Sequence, residues 1–196
     1  NRGAGAAVVT GLTWEHGYNY GYDAGLVLEN AIAWGWAFEA EALLVQDVVP
    51  WYDSWNDELT AAGIPYTQIG SADLASTNLY QYRMIITASV QGSTFNTRLN
   101  SRRTALQDYV LAGGVLIWSG CTQSSHTPYP VPLFGGTNNY DTSTYNDVED
   151  PSHPIMANVD DPIIGSSASH NYFTGLPGYE DLLATSRDTG EATLYV

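Results

Sequence analysis

The middle of the chain alternates short apolar runs with segments of helical periodicity. Apolar residues recur at helical spacing in residues 54–63 and again in residues 99–112, and glycine ends both segments. Four apolar runs of strand length flank these segments, at residues 42–46, 66–69, 83–88 and 115–119. Strands that are apolar throughout need cover on both faces. The pattern therefore predicts an α/β fold with a mostly parallel sheet flanked by helices.

Both ends of the chain depart from this alternation. Residues 122–170 are rich in Pro, Gly, Asn, Thr and Tyr, which predicts a long loop excursion. Residues 182–185 and 192–196 flank a turn sequence, which predicts a C-terminal antiparallel hairpin. Residues 1–36 predict a strand and then a helix capped by Asp23. We expect residues 1–196 to form a single domain.

Composition narrows the class of partner. The chain has 6 Lys+Arg against 21 Asp+Glu, a net charge of −15, and all its cations are arginine. Such a charge repels nucleic-acid phosphates and anionic lipid, so neither partner is expected. The most apolar stretch, residues 31–51, contains Glu39, Glu41 and Asp47, which argues against membrane insertion.

The 196 residues include 1 cysteine, which excludes an internal disulfide framework. Few cysteines, no lysine and many Tyr, Trp, Gly, Ser and Thr residues are typical of secreted or cell-surface proteins. The start at Asn1, with neither a basic nor a signal-like run, is typical of a processed or excised piece. The composition therefore favours an extracellular location.

The segment from Glu41 to Cys121 resembles the class I glutamine amidotransferase-like superfamily, particularly its ThuA-like and non-enzymatic extracellular branches. The stretch LQDYVLAGGVLI, from Leu106 to Ile117, is the most specific part, and ELTAAGIPYT and YRMIITAS accompany it. The resemblance implies a flavodoxin-like, three-layer arrangement.

The order of the parts differs from that superfamily. Its domain ends with a glycine turn, a strand, a short polar motif and a closing helix, and these parts lie first here, in residues 1–36. Joining residues 192–196 to Asn1 gives an uninterrupted hairpin, so the chain resembles a permuted member. A circular permutation, a tandem array cut out of phase, and strand exchange between subunits each explain this order. We expect residues 6–10 to pair antiparallel with residues 192–196, and favour an assembly whose units meet at this seam.

Cys121 lies close to the place of the nucleophilic cysteine in the enzymes that the chain resembles. Those enzymes have Gly-x-Cys-x-Gly, whereas residues 119–123 are SGCTQ. They take their base from His-x-Glu, whereas this chain has Glu15 followed directly by His16. We therefore expect Cys121 to be a small buried residue and Glu15 and His16 to cap a loop. The alternative is a cysteine-dependent amidotransferase-like hydrolase that uses Cys121, His16 and Glu15.

Acidic residues in the predicted excursion suggest one further alternative. Oxygen-rich loops bind calcium, but the spacing here fits no defined loop, so we expect solvated acidic surface and no cofactor. The candidate calcium ligands are Asp141, Asp147, Glu149 and Asp150.

Aromatic residues cluster in three polar segments. Such rings stack on sugars or anchor protein interfaces, because they combine a large apolar face with a polar group. The candidate binding or interface residues are Tyr18, Tyr20, Tyr22, Trp51, Tyr52, Tyr129, Tyr140 and Tyr145.

Together these features predict a non-catalytic extracellular structural module, which is a subunit or tandem repeat of a larger assembly or filament. Its expected partners are copies of itself. The alternatives are the cysteine-dependent hydrolase described above and a carbohydrate-binding module that uses the loop aromatics.

Overall fold

The computed structural model describes residues 5–35, 41–122, 124–133, 135–178 and 181–196. Of the N-terminal segment predicted as strand and helix, residues 1–4 and 36 lie outside these ranges. The α-helices are α1 (Trp14–Tyr20), α2 (Asp23–Gly35), α3 (Ser54–Ala61), α4 (Ser93–Ser101) and α5 (Arg103–Leu111). The strands are β1 (Ala6–Thr10), β2 (Ala42–Val45), β3 (Tyr66–Ile69), β4 (Met84–Thr87), β5 (Val115–Ser119), β6 (Tyr129–Pro130), β7 (Thr137–Val148), β8 (Ile163–Thr174), β9 (Leu182–Ser186) and β10 (Ala192–Tyr195).

Five strands form a parallel half of the sheet, in the order β3-β2-β4-β5-β1. Every residue of β2, β4 and β5 is buried, because helices cover both faces. On one face Leu44, Ile86 and Ile117 pack with the apolar residues of α1, α2 and α3. On the other face Leu43 and Leu116 pack with those of α4 and α5. None of the helices in the described ranges is both long and apolar enough to cross a bilayer.

The second half of the sheet is antiparallel, in the order β10-β8-β7-β6 beyond β1. Strand β9 pairs with both β10 and β7, so β10, β8, β7 and β9 close into a ring of four strands. Of the 10 strand pairings, 6 are antiparallel and 4 are parallel. The prediction of a mostly parallel, flavodoxin-like three-layer sheet is therefore wrong.

The predicted loop excursion in residues 122–170 is also wrong, because it contains the 12-residue strand β7 and most of the 12-residue strand β8. The buried positions of β7 include Asn138, Ser143 and Asn146. Asn146 accepts a hydrogen bond from Ser169, and Asn138 donates one to the backbone of Gly120. Since polar side chains occupy the inward positions, the strand lacks the alternation of apolar and polar residues that marks a half-buried strand.

The predicted pairing of the two terminal strands is confirmed, and it occurs within one chain. Val9 lies opposite Tyr195 and Thr10 opposite Leu194, and β1 also pairs along its whole length with β5. Strand β1 is therefore a central strand with a hydrogen-bonded partner on each side. On the β10 side the pairing covers Val9 and Thr10, so a strand from a neighbouring chain would have to displace β10 to pair with these two residues.

Candidate functional site

The carboxyl ends of the parallel strands meet at one edge of the sheet, and polar residues follow several of them. Glu15 comes after β1, Asp47 after β2, Ser89 after β4 and Cys121 two residues after the end of β5. In open α/β sheets, this edge is where ligands bind. The candidate site therefore lies along this edge.

Glu15 is fully buried in the first turn of α1. Its Oε1 atom accepts a 2.7 Å hydrogen bond from the indole nitrogen of Trp55 and a 3.2 Å bond from the backbone N–H of Ser89. Its Oε2 atom has no hydrogen-bond partner among the described residues. Burial raises the pKa of Glu15 above its usual value, against the lowering effect of these hydrogen bonds. The carboxyl is therefore biased toward its neutral form.

Cys121 is buried beside this carboxyl. Burial raises the pKa of the Cys121 thiol well above its usual value, and the charge of Glu15 raises it further. The fold thus brings Glu15 and Cys121 together, but in an environment that keeps the thiol protonated. A thiol in this state is a poor nucleophile, because the thiolate is the reactive form.

The backbone around Cys121 also lacks the geometry of a catalytic turn. A nucleophile elbow is a strained turn from a strand into a helix, and a helix N-terminus lowers the pKa of a thiol. Here β5 leads through irregular chain to the two-residue strand β6. The positive φ angles of non-glycine residues in the described ranges are at Val90 and Asn158, not at Cys121.

The sharp strand-to-helix turn lies instead after β4, at Val90, whose φ is 59°. A β-branched residue at positive φ is strained by about 1–3 kcal/mol. The backbone N–H of Val90 donates a 2.8 Å bond to the carbonyl of Cys121. The turn that resembles a nucleophile elbow therefore presents a chemically inert side chain.

Gln91 fixes this turn. Its Oε1 atom accepts hydrogen bonds from the backbone N–H groups of Asp47 and Val48, at 2.8 and 3.0 Å. Its Nε2 atom donates to the carbonyls of Val48 and Ser89, at 2.8 and 2.7 Å. One buried side chain thus joins the turn after β4 to the loop after β2.

His16 belongs to a cluster of tyrosines at the same edge of the sheet. Its ring lies 4.6 Å from that of Tyr20, 6.0 Å from Tyr22 and 6.1 Å from Tyr52. The hydroxyl oxygens of Tyr20 and Tyr52 are 3.0 Å apart. Since Glu15 points into the core and His16 packs among these rings, the two residues have different environments. We call Tyr20, Tyr22 and Tyr52 the tyrosine patch.

A second series of rings continues along this edge through two histidines. Trp51 packs on His170 at 5.1 Å, and Tyr140 lies 6.3 Å from the same ring. His126 then contacts Tyr140 at 6.0 Å and Tyr129 at 4.8 Å. Burial lowers the pKa of His170, which favours a neutral ring. Six of the eight predicted aromatic residues are thus grouped at one edge.

The remaining two predicted aromatic residues have other roles. Tyr18 packs against the core, and burial and then the nearby Glu58 raise the pKa of its hydroxyl. The ring of Tyr145 lies 5.2 Å from the guanidinium carbon of Arg187. Neither contact joins these two tyrosines to the series of rings described above.

Each predicted calcium ligand is engaged by a neighbouring donor. The donors are the backbone N–H of Thr142 for Asp141, Arg187 for Asp147, Thr185 for Glu149 and Ser152 for Asp150. Hydrogen bonds from Ser152 lower the pKa of Asp150. Within the described ranges, no group of three or more His, Cys, Asp or Glu residues could hold a metal ion. The four acidic residues are thus held by separate local contacts.

Sequence reasoning missed the residues that shape this edge, chiefly Trp55, Val90, Gln91, His126 and His170. The sequence places Trp55 with the aromatic residues that follow the strand in residues 42–46 and predicts its burial in the core, but nothing in the sequence marks its indole N–H as a donor to Glu15. The positive φ of Val90 has no sequence signature, because glycine or asparagine normally marks such a position. The two histidines lie in a segment that was predicted to be loop.

Comparison with known proteins identifies the fold. No family model matches the chain. A crystal structure of a Thermoplasma acidophilum protein, described as part of a GMP synthase, superposes with a TM-score of 0.52 at 14% sequence identity. The superposition covers 80% of this chain and 76% of that one. The chain has a glutamine amidotransferase-like fold. At this identity the amidotransferase-like comparison concerns the fold alone.

A sequence relative adds information on length. The chain is 27% identical over 152 residues to an uncharacterized protein of Clostridium acetobutylicum. The match covers 74% of this chain but 15% of the relative. The amidotransferase-like chain thus spans a small part of the length of this relative.

Proposed function

We propose that this chain is a non-catalytic structural module of a larger extracellular assembly, built on an amidotransferase-like fold. The observation that carries the proposal is the state of Cys121, a buried thiol whose pKa is raised both by burial and by Glu15. Cysteine-dependent hydrolysis needs a thiolate and a base that removes its proton. Burial of Cys121 opposes thiolate formation, and Glu15 opposes it further whenever its carboxyl is ionised, so this pair is a structural feature of the core.

The length of the sequence relative supports the idea of a module. Because the match covers 15% of that protein, its similarity to this chain is confined to one segment of a much longer polypeptide. A module of a long protein keeps its fold when it loses a catalytic motif, since packing and catalysis depend on different residues. An extracellular location is supported by the acidic, lysine-free and cysteine-poor composition.

The proposal includes a permuted order relative to the amidotransferase-like family and a place in its non-enzymatic extracellular branch. The pairing of β1 with β10 supports the permutation, since these strands would be consecutive in the family order. The position of Glu15 beside Cys121 also supports it, because the family motif after the equivalent strand lies next to the nucleophile turn.

The tyrosine patch is the surface that we assign to contacts within the assembly. Tyr20 is 54% exposed and Tyr22 is 39% exposed, although both rings are large and largely apolar. Exposed aromatic groups of this kind commonly anchor protein interfaces. Strand addition at β1 is not needed, because β1 already has two partners.

Thiol labelling tests whether Cys121 is catalytic. Native protein should react with iodoacetamide at neutral pH much more slowly than urea-unfolded protein, because burial blocks access and disfavours the thiolate. Cys121→Ala should keep the fold, with a small packing loss. Rapid labelling of the native protein, or a glutaminase or esterase activity that Cys121→Ala abolishes, would refute the non-catalytic proposal.

A further inference from the structure

An open groove of about 760 Å³ lies between α4 and a wall formed by residues 122 and 124–130. Its volume falls within the range of about 300–1,000 Å³ that is usual for small-molecule sites. One wall is a single face of α4, on which Ser93, Asn96, Thr97 and Asn100 recur at spacings of three and four residues. The groove is therefore lined by hydroxyl and amide side chains at regular intervals.

The opposite wall combines hydroxyl groups with rings. Ser125 and Thr127 are exposed there, and the half-buried aromatic residues His126 and Tyr129 also line this wall. The hydroxyl groups of Ser93, Ser125 and Thr127 make no side-chain hydrogen bond within the described chain. Nδ2 of Asn100 already donates to the carbonyls of Asn96 and Pro130, at 3.0 and 3.4 Å, so its Oδ1 atom is the part left for a ligand. These groups are available to a ligand.

No charged side chain lines the groove. Among the described lining residues there is no Asp, Glu, Lys or Arg, although the chain carries 21 Asp+Glu. An ionic ligand of either sign would lack a counter-charge here, and burying an unpaired charge is costly. The lining therefore favours a neutral ligand with many hydroxyl groups.

The ring wall is held rigidly by a buried network. Asn171 accepts hydrogen bonds from Thr122 and donates to the carbonyl of Asn139, so the orientation of its amide is fixed. Its Nδ2 atom must then donate to Nε2 of His126, at 2.8 Å. His126 Nδ1 consequently carries the proton and donates to the carbonyl of Thr127. Both ring nitrogens are thus engaged, and the ring is held between Asn171 and the backbone of Thr127.

We propose that this groove binds a neutral oligosaccharide. Unpaired hydroxyl groups donate to one sugar hydroxyl and accept from another, an amide oxygen accepts, and aromatic rings pack on the C–H faces of sugar rings. The helix wall and the ring wall supply these two kinds of contact on opposite sides. Rigid walls reduce the entropy that binding would cost. This groove is separate from the tyrosine patch. None of the α4 residues that form its helix wall was predicted as a binding residue from the sequence.

Isothermal titration calorimetry with neutral tetrasaccharides tests the proposal, using gluco-, xylo-, manno- and N-acetylglucosamine-based probes. At least one should bind with a dissociation constant in the micromolar to low-millimolar range. Asn100→Leu, which keeps side-chain size but removes both the Oδ1 acceptor and the bond to Pro130 on the opposite wall, should weaken that binding about tenfold. Asn19→Leu, at an exposed asparagine of α1, is the matched control and should leave the affinity unchanged.

Several results would overturn the proposal. One is an absence of binding across these probes, and another is an affinity that Asn100→Leu leaves unchanged. Tighter binding of uronic-acid or sulfated oligosaccharides, or of a neutral proline-rich peptide, than of any neutral sugar would also contradict it. Circular dichroism of each variant establishes that its fold is retained. Thiol labelling is measured separately, so failure of sugar binding and failure of the non-catalytic proposal are distinguishable.

Discussion

The indole nitrogen of Trp55 donates a 2.7 Å hydrogen bond to Oε1 of Glu15, and both side chains are fully buried. The bond joins α3 to α1 on one face of the sheet. Trp55 also packs on Trp14, with ring centroids 5.6 Å apart. A carboxyl held in this way is a structural acceptor inside the core, which explains why it lies beside a thiol without activating it.

Replacement of Glu15 by Gln should change how stability depends on pH. The pKa of Glu15 is raised in the folded state, so the protonated carboxyl favours folding. This contribution to stability is fully present below the pKa of the unfolded chain, about 4.5, and is lost as pH rises through the pKa of the folded protein. Glutamine keeps the Oε1 acceptor and does not ionise. We expect Glu15→Gln to unfold at a higher temperature than wild type near pH 8, with the difference disappearing toward pH 4.

Thermal unfolding across this pH range measures the effect. For a domain of this size, about 1 kcal/mol corresponds to about 2–4 °C in Tm. Glu29→Gln, which removes an exposed carboxyl of α2, is the control and should not reproduce the pH-dependent gain. A Glu15→Gln protein that is less stable than wild type at every pH would mean that the ionised carboxylate stabilises the core.

The parallel half of the sheet could be predicted from sequence because its strands are buried on both faces. Burial of this kind leaves continuous apolar runs such as Ala42–Val45, Met84–Thr87 and Val115–Ser119. The antiparallel half could not, because β7 buries Asn138 and Asn146 and satisfies them by hydrogen bonds that depend on other strands. Polarity alone indicated a loop.

The candidate site was predictable only as separate groups of residues. Glu15 and Cys121 were identified through the family resemblance, and the aromatic residues through local clustering. Their arrangement depends on strand order, because β1 must lie next to β5 before Glu15 can approach Cys121. The groove depends on Val90 and Gln91, whose roles arise from backbone geometry and from hydrogen bonds between loops.

Substitution of Gln91 by Glu should destabilise the protein. A carboxylate keeps the two accepted hydrogen bonds but cannot donate to the carbonyls of Val48 and Ser89. The oxygen atoms of these carbonyls would then face a carboxylate oxygen, which also carries negative charge. Each unsatisfied buried group costs about 1–3 kcal/mol, so we expect a loss of about 2 kcal/mol or more in urea unfolding. Gln81→Glu, at an exposed position, is the control and should change stability little.

Substitution of Val90 by Gly should be tolerated or stabilising, although glycine usually weakens a folded chain. Glycine adopts positive φ without strain, which recovers about 1–3 kcal/mol. Glycine costs about 0.4–1 kcal/mol because it raises the conformational entropy of the unfolded chain. It also removes the packing contacts of a partly buried side chain. Val49→Gly, at a 59%-exposed valine without positive φ, measures the entropy cost alone and should destabilise. If Val90→Gly loses more stability than Val49→Gly, the turn is not strained.

Self-association should depend on charge and on the tyrosine patch. A net charge of −15 makes copies of the protein repel each other at neutral pH and low salt. Salt screens this repulsion, with a Debye length of about 10 Å at 0.1 M, and protonation of carboxyls toward pH 4 removes it. We therefore expect the sedimentation coefficient, measured by analytical ultracentrifugation, to rise under both conditions.

The location of the contact is tested by removing the aromatic rings. Tyr20→Ser with Tyr22→Ser should suppress the association that salt induces, because it removes the exposed rings of the patch. Tyr80→Ser is the matched control, since Tyr80 is 62% exposed but precedes β4 at the opposite edge of the sheet. Equal effects of both replacements would indicate nonspecific aromatic contacts. Association that weakens in salt would instead mean that the acidic residues form attractive contacts between copies, so that charge and not the tyrosine patch drives assembly.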